Sequence, residues 1–216
     1  MYLRISAAAL LALALACSAP APAPGTRGEW RDESRAGRIT PAPSTPKPTA
    51  VAAKKQEQWS VHERAEDGFA IALPPGWRME EPFADDDPAL KLIAIEPGTE
   101  ADPDGIRAFV QVLVFRLLPG STLEAISRLG TAAFERKPGV IGPVTQRIAR
   151  LPVGPALETH YRDTRRSSRG SVITAVTHYE LIRGGVGYVL IFVTLPEAAQ
   201  EHGPTFERIA ATFQFR

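Results

Sequence analysis

Cys17 is the only cysteine among the 216 residues, and its surroundings give its thiol a specific covalent chemistry. It follows Ile5-Ser-Ala-Ala-Ala-Leu-Leu-Ala-Leu-Ala-Leu-Ala16, a 12-residue apolar run with a lone positive charge before it at Arg4. A charged start, a short apolar stretch and a small residue at the cleavage position make a secretory signal. A cysteine at that junction reads as a bacterial lipobox, Leu13-Ala14-Leu15-Ala16-Cys17, although Ala14 stands where leucine is commonest. The expectation is that residues 1–16 are removed and Cys17 takes a diacylglycerol, with an acyl chain such as palmitate on the new N-terminus. Two or more chains hold a protein stably at a membrane, whereas one does so marginally. An ordinary cleaved signal beside an incidental cysteine is the alternative. The run is too short to span a bilayer, which takes about 20 residues. Lipidation consumes the thiol, so disulfides, thiolate-bound zinc and cysteine nucleophiles are excluded.

Other groups with possible chemistry are scattered. His62-Glu63-Arg-Ala-Glu66 begins like a zinc-protease motif but lacks its second histidine, and Glu66-Asp67-Gly68 reads as a turn. His160 and His178 fall on consecutive strands flanking a hairpin, with Glu158 and Glu180 on their respective faces. A metal held there would need a third ligand, and two polar pairs on a solvated sheet face are the plainer expectation. Asp85-Asp86-Asp87 and Glu100-Ala-Asp102-Pro-Asp104-Gly105 are acidic loops that suit a weak hard-cation site or simple turn formation. Arg162, Arg165, Arg166 and Arg169 make a basic hairpin tip able to dock an acidic partner or a phosphate. For acyl chemistry there is no Gly-x-Ser-x-Gly elbow. A hydrolase would need His160 or His178 beside a serine and an acid. Gly184-Gly-Val-Gly187 opens a strand and not a helix, so it is no phosphate loop. No cofactor motif is found.

Charge divides the chain. Residues 18–56 carry seven Lys/Arg against three Asp/Glu, a net +4, while 57–216 carry 17 against 21, a net −4. A mildly acidic folded part argues against nucleic-acid binding, which uses a basic face. Seven prolines among residues 18–56 disfavour helix and sheet ladders. Residues 17–56 are therefore expected to be a lipidated N-terminus and disordered leash, and 57–216 one domain.

The elements that must position these groups follow from periodicity. Strands are expected at 58–64, 69–73, 77–79, 89–96 and 107–118, with Pro74-Pro75-Gly76 as a stop. Ser121-Thr-Leu-Glu124 reads as a capping box, with Ser121 bonding the amide of Glu124, for a helix ending at Pro138-Gly139. Strands at 144–150, 156–164 and 172–183 follow, the last two joined by a polar loop from Arg165 to Gly170. Pairing about residues 167–168 sets His160 opposite about 175, so the two histidines are offset. Tyr188 to Val193 is a strand buried on both faces, and Pro204 starts a last helix carrying Phe206, Ile209, Ala210 and Phe213. Hairpin-linked strands with two helices make an α+β domain around a mostly antiparallel sheet.

Several of these stretches together resemble PsbP-like domains. Gly68-Phe-Ala-Ile-Ala-Leu-Pro-Pro-Gly-Trp77 is similar to their opening strand and its proline-glycine-tryptophan turn. The order of elements is similar too, as are Gly187-Tyr188 and the closing Ile209-Ala-Ala-Thr-Phe-Gln-Phe215. The resemblance, which extends to LpqN- and DcrB-type bacterial lipoproteins, implies an αβα sandwich that binds partners and does not catalyse. It carries over no partner-binding residue. The expected protein is thus a non-catalytic lipoprotein of the bacterial envelope, tethered at Cys17 and serving as a protein-binding adaptor or assembly factor. Arg162, Arg165, Arg166 and Arg169 are the expected contact surface. A small-ligand or cation-binding module is the alternative, and a hydrolase a third.

Overall fold

In the computed structural model, which describes residues 58–82, 87–98, 107–167 and 170–216, ten antiparallel strands and two α-helices form the domain. Three strands make a small sheet in the order β1-β2-β10, with β1 at Ser60–Arg64, β2 at Phe69–Leu73 and β10 at Gln214–Phe215. Seven make the main sheet, ordered β3-β4-β5-β9-β8-β7-β6. They are β3 (Arg78–Glu80), β4 (Leu90–Ile95), β5 (Ala108–Arg116), β6 (Val140–Leu151), β7 (Gly154–Ser167), β8 (Gly170–Arg183) and β9 (Val186–Thr194). The α+β architecture is the expected one. The small sheet was not foreseen as a separate layer.

Side chains alternate along each strand, so the main sheet presents two distinct faces. On one, Tyr179, Leu181, Tyr188, Leu190 and Phe192 pack against Phe69, Ile71 and Leu73 of β2. The helix α2 (Ala199–Thr212) adds Phe206, Ile209 and Ala210 to this core, and Phe213 follows it. Phe69, Phe192 and Phe213 are almost wholly buried, and each contributes about 1.5–3 kcal/mol by leaving water. The opposite face carries Leu113, Tyr161, Val176, Val189, Ile191 and Val193, met by Phe134 of α1 (Leu123–Glu135).

Local chemistry corrects three expectations. The N-cap of α1 is Thr122, whose Oγ1 accepts from the Ala125 amide at 3.2 Å. Ser121 instead donates to the Leu118 carbonyl, so the capping residue lies one position later than the box suggested. The last helix starts at Ala199, and Pro204 lies inside it. The proline that opens that helical segment is Pro196, in a 3₁₀ turn at Pro196–Ala198 that runs directly into α2. The polar loop from Arg165 to Gly170 is mostly strand, because β7 and β8 continue until Ser167 pairs with Gly170. That pairing leaves a two-residue connection and sets His160 opposite Thr177.

Candidate functional site

The β7–β8 register brings four polar side chains together on the face that α2 partly covers. Glu158 pairs with Tyr179 and His160 with Thr177. His160 Nε2 lies 2.9 Å from Glu158 Oε1, and its Nδ1 lies 3.0 Å from Thr177 Oγ1. With the carboxylate ionised, the neutral ring carries its proton on Nε2, so Nδ1 accepts from the Thr177 hydroxyl. Tyr179 also donates to Glu158 Oε1, at 3.2 Å, and Arg147 of the neighbouring β6 donates to Oε2 at 2.5 Å. Glu158 is almost fully buried. Burial works against its charge, but the Arg147 hydrogen bond and its cationic surroundings outweigh this and hold the carboxyl below its ordinary value. The order hydroxyl, imidazole, carboxylate is that of a nucleophilic relay, but the hydroxyl is a threonine's where the expectation asked for a serine.

In front of this group opens a cleft of about 560 Å³. One wall is a bulge in β6, where the register shifts between Ile141 and Thr145 and Gly142 adopts φ 75°. The other is α2, through Ala199, Gly203, Phe206 and Glu207. Ala175, Thr194 and Tyr179 are among the strand residues between them. From the cleft, whose lining includes Ile141 and Arg162, the same face runs on to the hairpin. It carries Arg162 and Arg166 of β7, both exposed, and Ile173 of β8 at 46% exposure. Ile141, opposite Arg162, is 41% exposed.

The opposite face is polar inside. His178 pairs with Thr159 and Glu180 with Leu157, which places them across the sheet from His160 and Glu158. The two histidines therefore cannot share a metal, and no cluster of three potential ligands occurs among the described residues. The expected solvated sheet face is also overturned, because His178 is 3% exposed and Glu180 5%. His178 Nε2 is bonded to the Tyr161 hydroxyl at 2.9 Å, and Phe134 packs edge-on against the ring. Its Nδ1 and the Glu180 Oε1 have no hydrogen-bond partner among the described residues. Burial and the cations Lys137 and Arg165 keep the imidazole neutral, and burial alone pushes the Glu180 carboxyl up to about 7.

Arg165, expected on a basic surface, belongs to this interior. It is 6% exposed, its guanidinium lies 5.5 Å from the Phe109 ring centroid, and Nε and Nη1 lack partners among the described residues. Burial lowers its pKa. Alternation is the reason: along a strand, 162 and 166 face one way and 165 the other. The alternation from Tyr161 through Asp163 to Arg165 was the sequence signal for this, obscured by reading the arginines as a loop.

Cys17, Asp85, Asp86, Asp102, Asp104 and Arg169 lie outside the described residues. Asp87 is described and acts as a turn former, accepting from the Ala89 amide at 2.8 Å. His62 sits on β1, with Ala65–Asp67 a 3₁₀ turn after it, so the protease-like residues share no helix face. No helix among the described residues is long and apolar enough to cross a membrane.

No family model matches the sequence, and no curated protein matches it. Solved structures do match. The cyanobacterial PsbP protein (CyanoP) of Synechocystis is 10% identical with a TM-score of 0.52, covering 78% of this chain and 98% of its own. LpqN of Mycobacterium tuberculosis, a protein involved in cell envelope biogenesis, is 14% identical with a TM-score of 0.51, covering 74% and 91%. At such identities the likeness speaks for architecture alone. The antiparallel main sheet, the helix on each of its faces and these two likenesses together establish that the described domain has the PsbP-like fold.

Proposed function

We propose that the protein is a bacterial envelope lipoprotein whose PsbP-like domain binds a protein partner, as an adaptor or assembly factor. Residues 1–16 serve as the signal, Cys17 carries the lipid, and residues 18–56 are a leash that keeps the domain at 57–216 near the membrane. The observation that carries the binding reading is the sheet face left open beside α2. There a cleft adjoins two exposed arginines, Arg162 and Arg166, and the partly exposed Ile141 and Ile173 on the same face, which together offer a partner both charge and an apolar recess. The role in cell envelope biogenesis recorded for LpqN supports the same reading.

In-cell crosslinking followed by affinity recovery, comparing the native protein with Cys17→Ser, tests it. A dominant protein partner that is lost with the anchor supports the proposal. Recovery of nothing above background refutes the adaptor role, and an unchanged membrane fraction for Cys17→Ser refutes the anchor.

The cleft favours a second reading, a small-ligand module, because about 560 Å³ bounded by Phe206 and fixed polar groups is a ligand-sized site. Such a ligand would raise the melting temperature in proportion to the logarithm of its concentration. A screen of divalent cations and envelope metabolites without a shift would remove it.

A further inference from the structure

The open face sorts its charges. Charged or imidazole side chains of β6, β7, β8 and β9 on this face are Arg147, Glu158, His160, Arg162 and Arg166, with Arg183 at the far end of β8 lying over Phe215, and the rest are hydroxyl and apolar residues. Glu158 is already engaged by Arg147, His160 and Tyr179, so the strands offer no carboxylate to the two outer arginines. The other acid at the cleft, Glu207, is on the α2 side. The cationic end of the face is therefore Arg162 and Arg166, flanked by the exposed Ile141 and Ile173. The end near α2 is a recess between the β6 bulge and the helix, with Phe206 and Ala175 in its lining.

We infer that this face takes an acidic protein segment, its carboxylates on Arg162 and Arg166 and an apolar side chain seated in the cleft beside Phe206. The inference rests on the protein-binding reading above and names the chemistry of the partner. Guanidinium groups suit the purpose because they meet carboxylates through two parallel hydrogen bonds. Arg162 and Arg166 are four residues apart on one strand, so their Cα atoms are separated by about 13 Å. A segment matching them carries its acids at that separation, with the apolar residue on the α2 side. The recess bounded by bulge and helix receives a side chain, a shape that a flat lipid surface does not complement.

The full-length protein, held in detergent micelles, is panned against a displayed library of random dodecapeptides. The expected result is enrichment of peptides bearing two or more acids and an aromatic or aliphatic residue. Their affinity falls at least tenfold for Arg162→Glu/Arg166→Glu and less for Arg162→Lys/Arg166→Lys, and it weakens with salt. Both arginines are exposed, so the melting temperature of each double variant should match the native value. Enriched peptides without an acidic bias, or affinities indifferent to the charge reversal, overturn the inference. Enrichment of no peptide overturns it as well, and a partner still crosslinked in cells would then leave the adaptor reading standing on another surface. Binding to phosphatidylglycerol vesicles that is lost on charge reversal, with no acidic peptide bound, assigns the arginines to the membrane and overturns it too.

Discussion

Glu180 is the residue whose chemistry differs most from its sequence neighbourhood. It sits among Leu113, Val189 and Leu157 on the sheet face opposite the cleft, and burial raises its carboxyl from 4.5 to about 7. Between those values the native state holds a proton that the unfolded chain has released, so this group's contribution to stability falls as pH rises. The displacement corresponds to about 3 kcal/mol. His178 acts in the opposite sense: buried neutral, it must stay unprotonated while the unfolded imidazole gains a proton, so stability falls as pH drops below its ordinary 6.5. The clean observable is thus the difference between native protein and Glu180→Gln, in urea unfolding from pH 4.5 to 8. That difference should move by about 3 kcal/mol in favour of the variant as pH rises. A flat difference would mean that the carboxyl finds compensation under α1. Tyr161→Phe tests the same interior from the other side, since it leaves His178 Nε2 without its hydroxyl partner. A loss of about 1–3 kcal/mol is expected in the same urea measurement.

The elements were largely legible because their signals are local. Phe69-Ala-Ile-Ala-Leu73, bounded by Gly68 and Pro74, forms β2 at the expected limits, and Gly184-Gly185, both at positive φ, make the β8–β9 turn. What failed was the length of β7 and β8, since a run of arginines and serines looks like a loop until tertiary burial of alternate residues extends the strands. The register slipped with it, from an expected partner near 175 for His160 to Thr177. With the slip went the Glu158–His160–Thr177 group, which depends on pairing between strands. The cap of α1 offers a sharp check at this scale. Ser121 and Thr122 are adjacent hydroxyls with the same propensity for a cap, and only Thr122 accepts an amide of the first turn. Thr122→Ala should cost about 1 kcal/mol in chemical denaturation, and Ser121→Ala a few tenths. Equal effects would return the cap to Ser121.

At the scale of the whole domain, the small sheet closes the fold by pinning its two ends together. β1 and β10 both pair with β2, and the Arg216 amide donates to the Gly68 carbonyl at 2.9 Å. Phe215 packs on Tyr188 and Phe213 at ring-centroid distances of 5.2 and 5.5 Å, under the Arg183 guanidinium at 5.0 Å. Two residues of strand thus shield the junction between β2, α2 and the main sheet, which is why a helix-into-strand ending matters more than its length suggests. The chain order does not reveal this closure, because β2 and β10 meet across nearly the whole domain. Removing residues 214–216 strips Phe215 and uncovers Phe69 and Phe213, and a loss of about 2–4 kcal/mol is expected, somewhat less than deleting a fully buried phenylalanine and its ladder together. A chain begun at residue 57 keeps β1 and every contact of the closure, so it should unfold in a single transition at the melting temperature of the full-length protein. Calorimetry of the two truncations beside the full chain decides the matter. A lowered midpoint for 57–216 would mean that the proline-rich segment contributes to the domain and is more than the leash proposed for it, whereas an unchanged midpoint after loss of 214–216 would remove the closing role of β10.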